Sequence, residues 1–159
     1  MTKNLIFLHG LASNSQTYKA SLIKQIYPNL IVPDFTGSLQ ERMGTLYPIM
    51  NKEKDWTIIG SSFGGLMGAI FTLQYPDRVR KLVLLAPALI VPDFASCRDL
   101  MPASVPTTII HGKRDEIVPL EAVREIAKKA FSNLTYHIVE DDHRLHKTAE
   151  TLNWKEFLI

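Results

Sequence analysis

Six short apolar, β-prone runs punctuate the chain: Asn4–Leu8, Leu30–Val32, Trp56–Ile59, Lys81–Leu85, Thr107–Ile110 and Thr135–Val139. Several are apolar throughout, with no in–out alternation. Strands of a parallel sheet covered on both faces read this way. The stretches between them carry apolar residues at helical spacing. Ser38-Leu39-Gln40-Glu41 is a capping box, in which the serine and glutamate side chains satisfy each other's orphan amides. Leu39, Met43, Leu46 and Met50 follow on one face, and Leu120, Val123, Ile126, Ala127 and Phe131 form a second stripe. Glu121/Arg124 and Glu125/Lys129 are expected to pair on the wet side of that stripe. A less regular helix is expected over 144–157. Strand and helix in alternation define a doubly wound α/β domain: a six-stranded parallel sheet with helices on both faces.

The chain has 159 residues, enough for one domain over 1–159. A chain of this size buries roughly 70% of its unfolded surface, so a core is available without metal or disulfide staples. Its single cysteine, Cys97, excludes an internal disulfide and reads as a surface or half-buried thiol. Net charge is +2, spread along the chain, with no arginine-rich stripe for nucleic acid. No apolar run reaches membrane-spanning length, and Leu5–Leu8 is too short for the core of a signal peptide. The expectation is a cytoplasmic protein without nucleic-acid or membrane partners.

Gly60-Ser61-Ser62-Phe63-Gly64-Gly65 joins a strand to a helix. This is G-x-S-x-G in the context that gives it meaning: a sharp turn holds Ser62 in a strained conformation, and side chains two positions either side would collide. The helix beginning at Phe63 favours negative charge beside the serine. His9-Gly10-Leu11-Ala12 follows the first strand. Its Leu11 amide, with that of Phe63, can supply the two donors a tetrahedral oxyanion needs. His9 reads as a brace for this loop. His111-Gly112-Lys113-Arg114-Asp115 follows the fifth run, and Asp115 can orient an imidazole there or simply cap the next helix. His143, after the last strand, is the candidate base. His146 is its rival one turn later, and His137, inside a strand, is expected to pack or face solvent. Asp93 is a reserve acid. Asp141 and Asp142 read as a solvated pair or a cap, and Met43, Met50 and Met67 as core filler. No histidine–carboxylate cluster has zinc spacing and no P-loop lysine is present, so no metal or cofactor is expected.

The order Ser62, Asp115, His143, with His9-Gly10, Pro33-Asp34, the 75–79 turn Tyr-Pro-Asp-Arg-Val, Leu84–Pro87 and Gly112–Pro119, resembles the α/β-hydrolase superfamily, serine branch, and within it the small capless esterases. The resemblance spans nearly the whole chain. It implies a minimal α/β-hydrolase fold in strand order 2-1-3-4-5-6, lacking two N-terminal strands that members usually have. About twenty residues separate the fourth run from the fifth, too few for a lid domain. The resemblance further implies a serine carboxylesterase for short-chain esters. Leu11, Ala12, Phe35, Phe63, Phe94, Val118 and Leu145 are the expected walls of an open site. Thioesterase and lactonase chemistry use the same residues, and a ligand-binding homologue with little turnover is the remaining alternative.

Overall fold

The computed structural model describes residues 4–158. Five strands form one sheet in the order β1 (Asn4–Leu8), β2 (Trp56–Ser61), β3 (Val79–Leu85), β4 (Thr107–Gly112), β5 (Leu134–Val139). Every neighbouring pair is parallel. The expected second strand is therefore corrected: Leu30–Val32 contributes a single bridge, Ile31 to Ile6, on the free edge of β1. Ile31 N–H donates to the Leu5 carbonyl and Phe7 N–H donates to the Ile31 carbonyl, each at 2.9 Å. Pro33 has no N–H to continue that ladder, which ends a segment that otherwise lies on the predicted side of β1.

Strands β1 to β4 are largely apolar on both sides because both sides are covered, whereas the edge strand β5 is only partly buried. Ile6, Leu8, Ile58, Leu82, Leu84 and Ile109 point into a core shared with α2 (Leu39–Met50), α3 (Phe63–Gln74) and α5 (Leu120–Ala130). Their neighbours Leu5, Phe7, Ile59, Val83, Leu85 and Ile110 pack under α1 (Tyr18–Ile26), α6 (His146–Thr151) and α7 (Trp154–Leu158). The capping box at Ser38 forms with both reciprocal bonds. The expected helix over 144–157 is broken into α6 and α7. Glu125 pairs with Lys128 rather than Lys129, and Arg124 lies over the Tyr136 ring. Cys97 is buried within the first core, and burial pushes its thiol pKa up.

Between β3 and β4 the chain forms only a one-turn helix, α4 (Pro92–Ala95), and a 3₁₀ turn at Arg98–Leu100. This segment and α5 border a groove of about 620 Å³ whose lining includes Phe94, Ile126 and Lys129. None of the described residues is in a helix long and apolar enough to cross a membrane.

Candidate active site

All five strands run the same way, so the loops after β1, β2, β4 and β5 emerge on one edge of the sheet. Ser62 follows β2 with φ 55° and ψ −113°, a conformation that costs a non-glycine residue roughly 1–3 kcal/mol. The flanking glycines make it possible. A Cβ on Gly60 would sit 2.5 Å from the Gly64 carbonyl oxygen, and one on Gly64 would strike the carbonyl of Leu8. The second collision is with the end of β1, not across the turn. Gly64 is thus what lets α3 begin directly beside the loop that carries Leu11.

His143 joins the two sides of the site. Its Nδ1–H donates to Asp115 Oδ2 at 2.7 Å, and its Nε2 accepts from the Ser62 hydroxyl at 3.0 Å. Asp115 is fully buried and His143 one-fifth exposed. Burial pushes the Asp115 carboxyl pKa up, but amides of Val118 and Ile117 on Oδ1, at 2.8 and 2.9 Å, and the His143 bond outweigh it, leaving a lowered pKa. Asp115 does not cap α5, whose N-cap is Pro119 with no side-chain bond. A second glycine brings the acid and histidine loops together: a Cβ on Gly112 would strike the Asp141 carbonyl, which accepts from Arg114 N–H at 3.0 Å.

Other sequence expectations sort on the same geometry. His9 is buried; its Nε2 accepts from Phe35 N–H at 2.8 Å and its Nδ1–H donates to the Gly10 carbonyl at 2.7 Å. Both nitrogens are occupied in holding the loop. His146 packs at a tilt against Tyr18 and His137 edge-on against Phe157, while Asp93 is exposed in α4. Asp141 is not solvated. It is buried, which pushes its pKa up, yet bonds from Thr148 N–H and hydroxyl and from Asp142 N–H bring it below the usual range and tie α6 to the histidine loop.

The cavity beside Ser62 holds about 520 Å³. Leu11 and Ala12 line it, but the five other expected wall residues do not. Phe35, Val118 and Leu145 are core side chains, and Phe94 belongs to the separate groove behind α4. Phe63 is half-buried, packed against the core with the Arg42 guanidinium over its ring. Ser13, Thr17, Lys19, Ile117, Arg144 and His146 line the cavity instead. Leu11 and Ile117, 58% and 69% exposed, form its apolar rim. Ile117 was legible as an apolar residue two positions after the acid; Lys19 carried no signal of its own.

A second imidazole stands behind the acid. His111, buried, places Nε2 3.0 Å from the Val118 carbonyl and 3.2 Å from Asp115 Oδ2. Both are acceptors, so Nε2 carries the proton and Nδ1 accepts from the Tyr136 hydroxyl at 2.8 Å. Burial lowers the His111 pKa, only partly offset by the Val118 carbonyl and Asp115. A histidine that resists protonation when folded contributes fully above its unfolded pKa of about 6.5, and that contribution is lost as pH falls towards its folded value. Asp115 and Asp141, both lowered, add a further loss only below about pH 4. Thermal melts should therefore show Tm falling from about pH 6.5 downwards. His111→Phe should flatten the slope below about pH 6.5, whatever it does to Tm itself. An unchanged slope would assign this acid sensitivity to another group.

Comparison with known proteins agrees with the architecture. A family model described as alpha/beta hydrolase fold matches residues 50–105, the stretch holding the Ser62 turn. A comparison of the sequence with curated proteins finds no match. Among solved structures, alpha/beta hydrolase domain-containing protein 10 from mouse superposes with a TM-score of 0.76 at 18% identity, covering 94% of this chain and 85% of that one. A predicted CIB-like hydrolase from Thermoplasma acidophilum gives 0.76 at 25% identity, over 94% and 82%. Est1E from Butyrivibrio proteoclasticus gives 0.78 at 17% identity, over 94% and 84%. The chain has the α/β-hydrolase fold, and its small body fits the capless form of that fold.

Proposed function

We propose that this chain is a serine carboxylesterase that hydrolyses short-chain carboxylic esters through an acyl-enzyme on Ser62. The observation that carries the reading is the continuous hydrogen-bonded chain from the Ser62 hydroxyl through His143 to a buried, ionised Asp115. As Ser62 Oγ attacks the ester carbonyl, His143 Nε2 takes its proton and Asp115 stabilises the resulting imidazolium. The amides of Leu11 and Phe63 receive the oxyanion. When the tetrahedral intermediate collapses, the carbonyl carbon–alkoxy bond breaks and His143 gives its proton to the departing alcohol. A water, losing its proton to His143, then attacks the acyl-enzyme and releases the acid and the free serine.

Short acyl chains are favoured because the apolar surface beside Ser62 is a rim, not a tunnel. Among the described residues, the 88–105 segment contributes nothing to the lining of the Ser62 cavity. Each additional buried CH₂ would contribute about 0.8 kcal/mol, so a tunnel would raise kcat/KM several-fold per carbon. The test is a p-nitrophenyl ester series, with fluorophosphonate labelling reporting whether Ser62 is activated. Labelling, best turnover at roughly two to six carbons, and no jump in rate at an emulsion boundary are expected. An unlabelled serine would remove the esterase reading. Turnover that kept climbing with chain length would remove the short-chain part of it.

A further inference from the structure

Lys19 is a buried charge that the reaction above does not use. It lies in the first turn of α1, is 8% exposed, and reaches into the same cavity as Ser62. Its Nζ donates to the Arg144 carbonyl at 2.7 Å, in the loop that carries His143. An ammonium has three donors, and that bond satisfies one. No carboxylate among the described residues lies within ion-pair distance of Lys19, nor of the exposed Arg144 guanidinium on the same cavity. Asp141 and Asp142 act on Lys19 only at longer range, while Arg144 repels it, and burial with that repulsion lowers its pKa.

Burying an ammonium without a carboxylate costs several kcal/mol, and a lost partner is normally replaced by another anion or by an apolar residue. Here neither replacement has been made. A tether between α1 and the histidine loop needs only one neutral donor, which a glutamine or threonine supplies at far lower cost. The sign of the cavity is also uniform. Lys19 and Arg144 line it and, among the described residues, no Asp or Glu does; Arg144 also borders the adjoining hollow, which Glu116, Asp142 and Arg114 line. Two cationic side chains therefore face one space beside the nucleophile, with open donors and no internal counter-ion.

We propose that the Ser62 cavity accepts esters bearing a second, free carboxylate, which Lys19 and Arg144 hold while Ser62 attacks the ester carbonyl. The substrate class is the half-ester of a short dicarboxylic acid. This rests on the esterase reading, and it explains a short acyl preference by charge as well as by the missing tunnel: the far end of the acyl group is anchored rather than buried. Charge-assisted hydrogen bonds contribute about 1.5–3 kcal/mol, or roughly tenfold to a hundredfold in affinity.

The test separates binding from turnover. Ser62→Ala protein is titrated, by NMR, with the monomethyl esters of succinate, glutarate and adipate and with the matching neutral dimethyl esters. At least one monoester should bind about tenfold or more tightly than its diester, and the ratio should shrink as salt rises. Adding Lys19→Gln should collapse the ratio to near one, adding Lys19→Arg should restore much of it, and Arg144→Gln, an exposed change that leaves the core intact, should reduce it. Equal or tighter binding of the diesters, no binding of either, or a ratio indifferent to Lys19 and Arg144 would overturn the proposal and leave Lys19 as a strut. Wild-type turnover of p-nitrophenyl butyrate is read separately: its absence sinks the esterase reading, whereas its presence without a monoester preference sinks only the anionic one.

Discussion

Ser62→Ala loses ester hydrolysis by a factor of about 10³ or more, down to what binding and oxyanion contacts alone provide, whereas Ser61→Ala keeps most of it. The two serines are adjacent, yet their environments differ. Ser61 is the last residue of β2, buried and paired within the sheet. Ser62 occupies the strained turn, and its hydroxyl is the one within 3.0 Å of His143 Nε2. Removing the Ser62 oxygen leaves the imidazole with nothing to deprotonate except water. The same variant should lose fluorophosphonate labelling while keeping its Tm within a few degrees. A dead Ser61→Ala beside an active Ser62→Ala would mean the nucleophile is not at the centre of the turn.

Asp115→Asn should cost about 10³–10⁴ in kcat with the fold retained. An asparagine that keeps its oxygen on the Ile117 and Val118 amides must turn its NH₂ towards His143 Nδ1. That nitrogen can then only accept, so the proton moves to Nε2, where it faces Ser62 and cannot receive a second. The same NH₂ would meet the His111 Nε2–H, a donor against a donor at a site now spaced at 3.2 Å. Flipping the amide relieves both clashes but turns the NH₂ against the Ile117 and Val118 amides, donor against donor. Asp93→Asn, in the exposed one-turn helix, should be nearly silent. A reversed pattern, with Asp93→Asn damaging and Asp115→Asn mild, would move the acid to the segment after β3.

What was legible in the sequence is what short-range physics dictates. The inner strands were readable as apolar runs because burial on both faces removes alternation, and the end of β1 at Leu8 was placed to the residue. The α2 capping box was readable because it closes within four residues. The Ser62 turn was readable because only glycine survives at Gly60 and Gly64. Leu30–Val32 misled because its composition suits a strand while Pro33, the next residue, forbids a ladder. The cavity walls misled for another reason. Phe35, Phe94, Val118 and Leu145 were near the right edge in chain order, but a large apolar side chain placed there gains more from the core than from an open rim, and all four turned inwards.

By itself the sequence determined the layered parallel architecture and the order in which a serine, an acid and a histidine arrive at one edge of the sheet, since parallel strands deliver every following loop to the same side. Tertiary structure decided the rest: that His111 and Tyr136, from neighbouring strands, stand behind the acid, and that Lys19, from a helix more than a hundred residues away in sequence from the His143 loop, is buried beside the nucleophile without an anion. No local pattern encodes such contacts. They arise where separate loops and helices are packed against one another, and their energies depend on distance and burial that only the assembled fold sets.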